Sequence, residues 1–194
     1  GQWGPTRTVE SSTPFGINPE IAVTSTNQIF VTWREVDRPI RYRFSTNGGA
    51  GWSDRRDVSD LVAYRGAFGM AAGPGGRLGV TYTASEADKL QIFVSLWNGN
   101  GFTTTRITAT NDNFAAPTMT FAPTGQAFVA WRGVSESGGN SGAFFAEQQP
   151  DGSWPRSRLI GGGIFDNVNI SADEQGNIHM SWLGNASGGT TVYY

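Results

Sequence analysis

The chain has 194 residues, a formal net charge of −2 and no cysteine. That balance leaves no electrostatic footprint for nucleic acid or an anionic membrane, and it excludes disulfides, cysteine-ligated metals and a cysteine nucleophile. Glycine accounts for 27 residues and aromatics for 12%, against 15% charged, which is the make-up of short aromatic strands joined by tight turns. No run approaches the ~20 apolar residues of a membrane helix, so no membrane insertion is expected.

Residues 2–10 open the chain with a pattern that returns three times: an aromatic followed four residues later by arginine. The pairs are Trp3 and Arg7, Trp52 and Arg56, Phe102 and Arg106, Trp154 and Arg158. The next element is a strand near Glu20 to Thr24, with Ile21, Met70, Met119 and Ile170 at equivalent places in successive repeats. A second strand follows over 28–33, with Ile29, Val31 and Trp33 on one face and Phe30 and Thr32 on the other. Such period-2 alternation marks a strand rather than a helix. The strand recurs over 77–82, 126–131 and 177–182. Its closing aromatics Trp33, Tyr82, Trp131 and Trp182 lie 49, 49 and 51 residues apart, and Asn27, Gly76, Gly125 or Gly176 precedes it each time. Third strands are predicted over 41–44, 91–95, 143–146 and 191–194, and fourth strands after each Gly/Trp turn. Helix content should be near nil, because no window carries an i, i+3, i+4, i+7 stripe.

A period of about 40–50 residues with four strands per unit predicts an all-β fold, a β-propeller of four four-stranded blades. The repeats are approximately 15–60, 64–110, 113–162 and 165–194 plus 1–10, within a single domain over 1–194. The N-terminal strand is expected to complete the C-terminal blade and so remove an open sheet edge. An open solenoid of hairpin pairs would need polar capping repeats, and none is visible. Four blades could close as one ring, two chains could share eight, or the four could belong to a larger propeller; both monomer and homodimer remain open.

The turn Ser45-Thr46-Asn47-Gly48-Gly49-Ala50-Gly51-Trp52 resembles the Asp-box of sialidase-type (BNR) repeats, with Asn47 where that family has Asp. Residues 95–102 form a weaker copy, with Trp97 at the Asp place, and 150–154 keep only the turn and its Trp. The resemblance implies a structural staple in Ser45, Asn47, Gly49 and Trp52: a short polar side chain caps turn amides, glycine supplies positive φ and the aromatic packs beside the next strand. It implies a sialidase-like propeller, a fold shared by hydrolases, lectin-like modules and protein-binding propellers. The chain departs from the enzymes in having four blades rather than six, no Arg-Ile-Pro signature and no recognisable Tyr/Glu nucleophile pair.

In a propeller the first strand of each blade lines the axis, and the loops entering it gather on one face with those joining second and third strands. Here these are residues 11–19, 60–68, 111–117 and 161–169, with 34–38, 83–88, 132–141 and 183–189. Arg34, Arg65 and Arg132 fall on this face, and guanidinium forks match a carboxylate bidentately; the plainer reading pairs them with neighbouring acids such as Glu35 or Asp166. Glu20 lies in an axis-lining strand, where a carboxylate must be paired, hydrated or bound to a ligand. Tyr64 beside Arg65, and Asn113 in the third repeat, have the aromatic and amide chemistry that holds sugars. The candidate ligand-binding set is therefore Glu20, Arg34, Glu35, Tyr64, Arg65, Asn113, Arg132 and Asp166. The sole histidine, His179, has neither a second His nor a Cys to share zinc with. No cofactor is expected; amide- and acid-rich loops could hold calcium through oxygen, but none has a calcium-loop spacing.

The expected function is a non-catalytic binding module, recognising glycans on the loop face and working outside the cell or in the periplasm. A glycoside hydrolase of sialidase-like type and a structural propeller docking on a protein partner are the alternatives.

Overall fold

The computed structural model describes residues 4–11, 16–64, 68–108, 113–134, 141–155, 158–162, 164–186 and 189–194. Fifteen strands form four antiparallel sheets. The first sheet holds β1 (Gly16–Val23), β2 (Ile29–Glu35), β3 (Pro39–Ser45) and β4 (Arg56–Val62) in that order. The second holds β5 (Gly69–Ala72), β6 (Leu78–Glu86), β7 (Lys89–Trp97) and β8 (Phe102–Arg106). The third holds β9 (Asn113–Phe121), β10 (Ala127–Val134), β11 (Gly142–Glu147) and β12 (Arg158–Gly162), and the fourth β13 (Ile164–Ala172), β14 (Ile178–Ala186) and β15 (Gly189–Tyr193). The only helical element among the described residues is a single 3-10 turn, Pro74–Gly76.

Sequential strands pair within each sheet because their connections are tight. The turns at the end of each first strand are closed by short backbone bonds, for example Asn27 N–H to Thr24 O at 2.9 Å and Gly125 N–H to Ala122 O at 2.8 Å. Each needs a residue at positive φ, supplied by Asn27 (φ 60), Gly76 (φ 76), Gly125 (φ 87) and Gly176 (φ 87), which is why those four positions carry small or amide residues.

The sheets stack face to face, and alternation decides what lies between them. Between the first two sheets, Phe30, Tyr42 and Tyr82 are buried with Phe44, Trp97 and Phe102 packed against them. Trp97 meets Phe30 and Phe102 edge-on, at centroid distances of 5.1 and 5.4 Å. Between sheets two and three, Trp131 is fully buried among Ile92, Val94, Phe114 and Val129. Between sheets three and four, Ala130, Ala143 and Val168 are buried, with Met180 and Trp182 packed on them. Tyr82, Trp131 and Trp182 thus hold one register position and each faces the preceding sheet. The polar edge of this packing is bonded in part: the Tyr82 hydroxyl donates to Ser59 Oγ at 2.7 Å and Ser95 Oγ bonds Thr104 Oγ1 at 2.7 Å, while Trp131 Nε1 and Thr83 Oγ1 are buried without a hydrogen bond.

Two expectations are corrected. The fourth sheet has three strands among the described residues, and residues 4–11 form no strand on it. They run along the first sheet instead, where Arg7 donates to Gly49 O (3.1 Å) and Glu10 pairs with Arg43 (3.0 Å). Thr8, Val9 and Glu10 line one hollow with Val31 and Trp33; the apolar outer face of the first sheet and the cation beside it hold the segment there. Nor does any extended packing join the fourth sheet to the first among the described residues, so those contacts do not close a ring.

Gly133 tests the aromatic packing within the third sheet, between β10 and its neighbours β9 and β11. A Cβ there would stand 2.3 Å from Phe144 Cε2 and 3.1 Å from Phe114 Cδ1. Gly133→Ala should destabilise the fold by about 1–3 kcal/mol through overpacking, read as a lower midpoint in a urea titration with an unchanged slope.

Candidate functional site

The first strands of all four sheets converge on one axis. Near its loop end lies a depression of about 280 Å³ lined by Glu20, Phe68, Gly69, Met70, Pro117, Thr118 and Asn169, with Ala116, Met119 and Val168 completing the wall. Glu20, Gly69, Thr118 and Asn169 are register equivalents, opposite Thr32, Thr81, Ala130 and Ser181 respectively.

A repeated irregularity sets these side chains. In β1, residues Asn18 and Pro19 together oppose Trp33; in β9, Ala116 and Pro117 oppose Trp131; in β13, residues 167 and 168 oppose Trp182. This two-against-one count is a β-bulge, which bends a strand and re-aims the side chain that follows. Asn18 (φ 52) and Ala116 (φ 51) take up the left-handed conformation it needs. The residues delivered to the axis directly afterwards are Glu20, Thr118 and Asn169.

The half-buried Glu20 carboxylate accepts the Met70 N–H at 2.8 Å and so ties the first sheet to the second. Burial raises its pKa above the ordinary 4.5, and the Met70 bond offsets part of that rise. The depression therefore combines one titratable carboxylate with neutral amide and hydroxyl groups and an apolar floor of Phe68, Met70 and Met119. Among the described residues no three His, Asp or Glu side chains cluster as metal ligands.

The other predicted residues that are described are dispersed. Arg34 is 8% exposed at the loop end of β2, with its Nε buried and unbonded; it does not line the depression. Arg132 holds the matching position in β10, opposite Ala115. Glu35 is 7% exposed and points to the outer face of the first sheet. It accepts from Trp33 Nε1 (3.3 Å) and faces Arg41 and Arg55 at 3.6 and 3.9 Å, so its cations are these two rather than Arg34. Asn113 Oδ1 accepts the Leu90 N–H (3.0 Å), joining sheets two and three. Tyr64 is 48% exposed, with its N–H on Thr83 O (2.8 Å). Arg65 and the Asp166 side chain lie outside the described residues. His179 lies between the Tyr194 hydroxyl (2.6 Å) and Asp173 (3.2 Å), away from the depression; hydrogen bonds led by Asn177 hold Asp173 down at about 2. Thr118 and Asn169 were legible only as Glu20's equivalents. The signal that marks Thr118 is Pro117, 98 residues after the Pro19 that precedes Glu20, since proline inside a strand pattern announces a bulge or an edge; Asn169 follows Val168 and carries no such mark.

At the structural turn, Gly49 N–H donates to Ser45 Oγ (2.9 Å) and Gly51 N–H to Asn47 Oδ1 (2.8 Å), while Gly48 and Gly49 take positive φ. It lies at the end of the sheet opposite the depression.

No family model and no curated protein matches the chain. Solved structures do. A protein of unknown function from Dyadobacter fermentans aligns with a TM-score of 0.66 at 15% identity, over 94% of this chain and 61% of that one. A polysaccharide lyase of family PL25, an ulvan lyase, aligns with a TM-score of 0.69 at 11% identity over 93% and 52%. A Hadza microbial sialidase, Hz136, aligns with a TM-score of 0.62 at 10% identity over 90% and 43%. The chain has a sialidase-like β-propeller fold. It spans 43–61% of the length of these three structures.

Glu20 makes the depression's electrostatics measurable. A carboxyl with a raised pKa binds its proton more tightly in the folded chain than in the unfolded one, so its stabilising share is complete below pH 4.5 and is lost as pH rises through the folded value. In E20Q, which keeps an acceptor for Met70 N–H, the melting temperature should gain on the wild type steadily between pH 4 and pH 7. A difference that stays flat across that range would uncouple Glu20 ionisation from the fold.

Proposed function

We propose that the chain binds carbohydrate in the axial depression on the loop face. The observation that carries this reading is the composition of the depression: a carboxylate, an amide and a hydroxyl from three different sheets, delivered by the same bulge and set around an apolar floor. Sugars present fixed hydroxyls beside apolar ring faces, and planar polar groups around an apolar surface are their complement. Two neighbours of the same fold support it: one is described as a lyase bound to a GlcA–Rha3S saccharide and another as a sialidase. The reading carries with it a location outside the cell or in the periplasm, where such polymers are met. No helix of the described residues is long and apolar enough to cross a membrane.

Holding a sugar is favoured over cleaving one. Hydrolysis of the usual kind sets two carboxyl groups across the glycosidic bond, and among the described lining residues Glu20 is the one carboxylate.

A glycan array that includes sialylated and uronic-acid glycans tests the proposal. A discrete set of binders is expected. Asn169→Ala and Thr118→Val should each weaken the best of them about tenfold, the ~1.4 kcal/mol of one polar contact. Folded protein that binds nothing on the array would overturn it, and shortened or unsaturated saccharides in the incubation would replace binding with catalysis.

A further inference from the structure

The opposite end of the propeller carries a second concavity that the axial depression does not explain. Arg77 stands in it, between two adjoining grooves. The first, about 390 Å³, is lined by the turns of the third sheet, including Gln126, Gln148 and Gln149. The second, about 600 Å³, lies between the first two sheets, with Gln28, Trp97 and Asn98 in its wall.

Arg77 is held in place on several sides. Its guanidinium lies over the Phe121 ring at 5.5 Å from the centroid. Its Nη2 donates to Gln148 Oε1 at 2.8 Å, and Gln126 Nε2 holds the backbone oxygen of Gln148 at 2.9 Å. Gly125 makes the room: a Cβ there would meet Arg77 Cδ at 3.2 Å. Arg77 has no ion pair with a carboxylate among the described residues. The nearby Asp151 is turned onto Ser153, accepting its N–H and its hydroxyl at 2.9 and 2.6 Å. A fixed, partly solvated cation in a wall of neutral amides calls for a ligand with a carboxylate and many hydroxyls, and the Trp97 edge one groove away offers an apolar surface to a neighbouring ring.

We infer that this turn face is a second carbohydrate site, specific for acidic oligosaccharides, with Arg77 holding a uronate carboxylate and Gln148 and Gln126 the hydroxyls beside it. It stands independently of the reading of the axial depression. Titration calorimetry with trigalacturonate tests it, with cellotriose as the neutral control and hexaglutamate as the charge control. The full chain should bind trigalacturonate, with affinity falling as salt is raised, and should bind cellotriose at least tenfold more weakly. Arg77→Ala, an exposed substitution checked for folding by its melting temperature, should lose at least tenfold, and Gln148→Ala a smaller factor. Arg106→Ala, which removes an exposed arginine paired with Glu86 away from both sites, should bind as the wild type does. Absence of trigalacturonate binding at millimolar concentration, unchanged binding by Arg77→Ala, or a loss as large in Arg106→Ala would each overturn the site. Hexaglutamate bound equally well would overturn its sugar specificity.

Discussion

The facing apolar surfaces of adjacent sheets must be covered, and the packing of one sheet on the next is the constraint on which the rest depends. An aromatic that vanishes at such an interface buries about 150–250 Å², worth ~5 kcal/mol at ~25 cal/mol per Å². Tyr82 and Trp131 make that contribution in full, and the partly buried Trp182 makes a share of it at the same register position. Trp33 shows the same requirement from the other side. Among the described residues no sheet precedes its own, yet Trp33 is 5% exposed, because residues 8–10 lie over that face and Glu10 is anchored by Arg43. Ile21 and Val23 on the same sheet stay open to solvent, at 69% and 55%.

The packing also dictates what reaches the axis. Where the closing aromatic of the second strand is a tryptophan, the first strand passes it with two residues instead of one. An alanine at positive φ is held there at a cost of order 1–3 kcal/mol, which the surrounding register has to over-determine. The same kink that accommodates Trp33, Trp131 and Trp182 turns Glu20, Thr118 and Asn169 toward a common depression. Fold and candidate site are thus one device: the position that stabilises each interface also aims one polar side chain from each of three sheets at the axis.

Much of this was legible in the sequence, for a physical reason. Strand alternation and positive-φ turns are local, so the repeat, the strand order and the turn residues Asn27, Gly76, Gly125 and Gly176 could be read directly. Glu20 was legible because a charge in an axis-lining strand breaks the pattern of its equivalents. What was not legible was long-range. The arginines at the loop end share a face in the repeat, but sharing a face is not convergence: Arg34 is buried and Glu35 serves an ion cluster on the outer side of its sheet. The N-terminal segment carries the motif of a fourth strand, yet where it lies is decided by Arg43, Gly49 and Trp33, none of which lies near it in sequence.

Trp97 shows how a departure from a motif can be an assignment rather than a decay. It occupies the place of Asn47 in the weaker turn, so that turn has lost its capping side chain. The structure divides the two jobs between neighbours. Trp97 turns inward and meets Phe30, Tyr42, Phe44 and Phe102 between the first two sheets, while Asn98 takes over the cap, accepting from the N–H groups of Asn100 and Gly101 at 3.1 and 3.0 Å. The exchange has a consequence at the surface. A tryptophan anchored in the core still presents an edge to the groove beside Arg77, where the first turn has only Thr46. The repeats are alike where sheets must stack and differ where the turns meet solvent, so the chemistry that distinguishes one blade from the next is concentrated at the blade ends. On those ends, a cation held by Phe121 and Gln148 and an apolar edge held by Phe30 and Phe102 are fixed by packing rather than by a bound ligand, which is the preorganisation a binding surface requires.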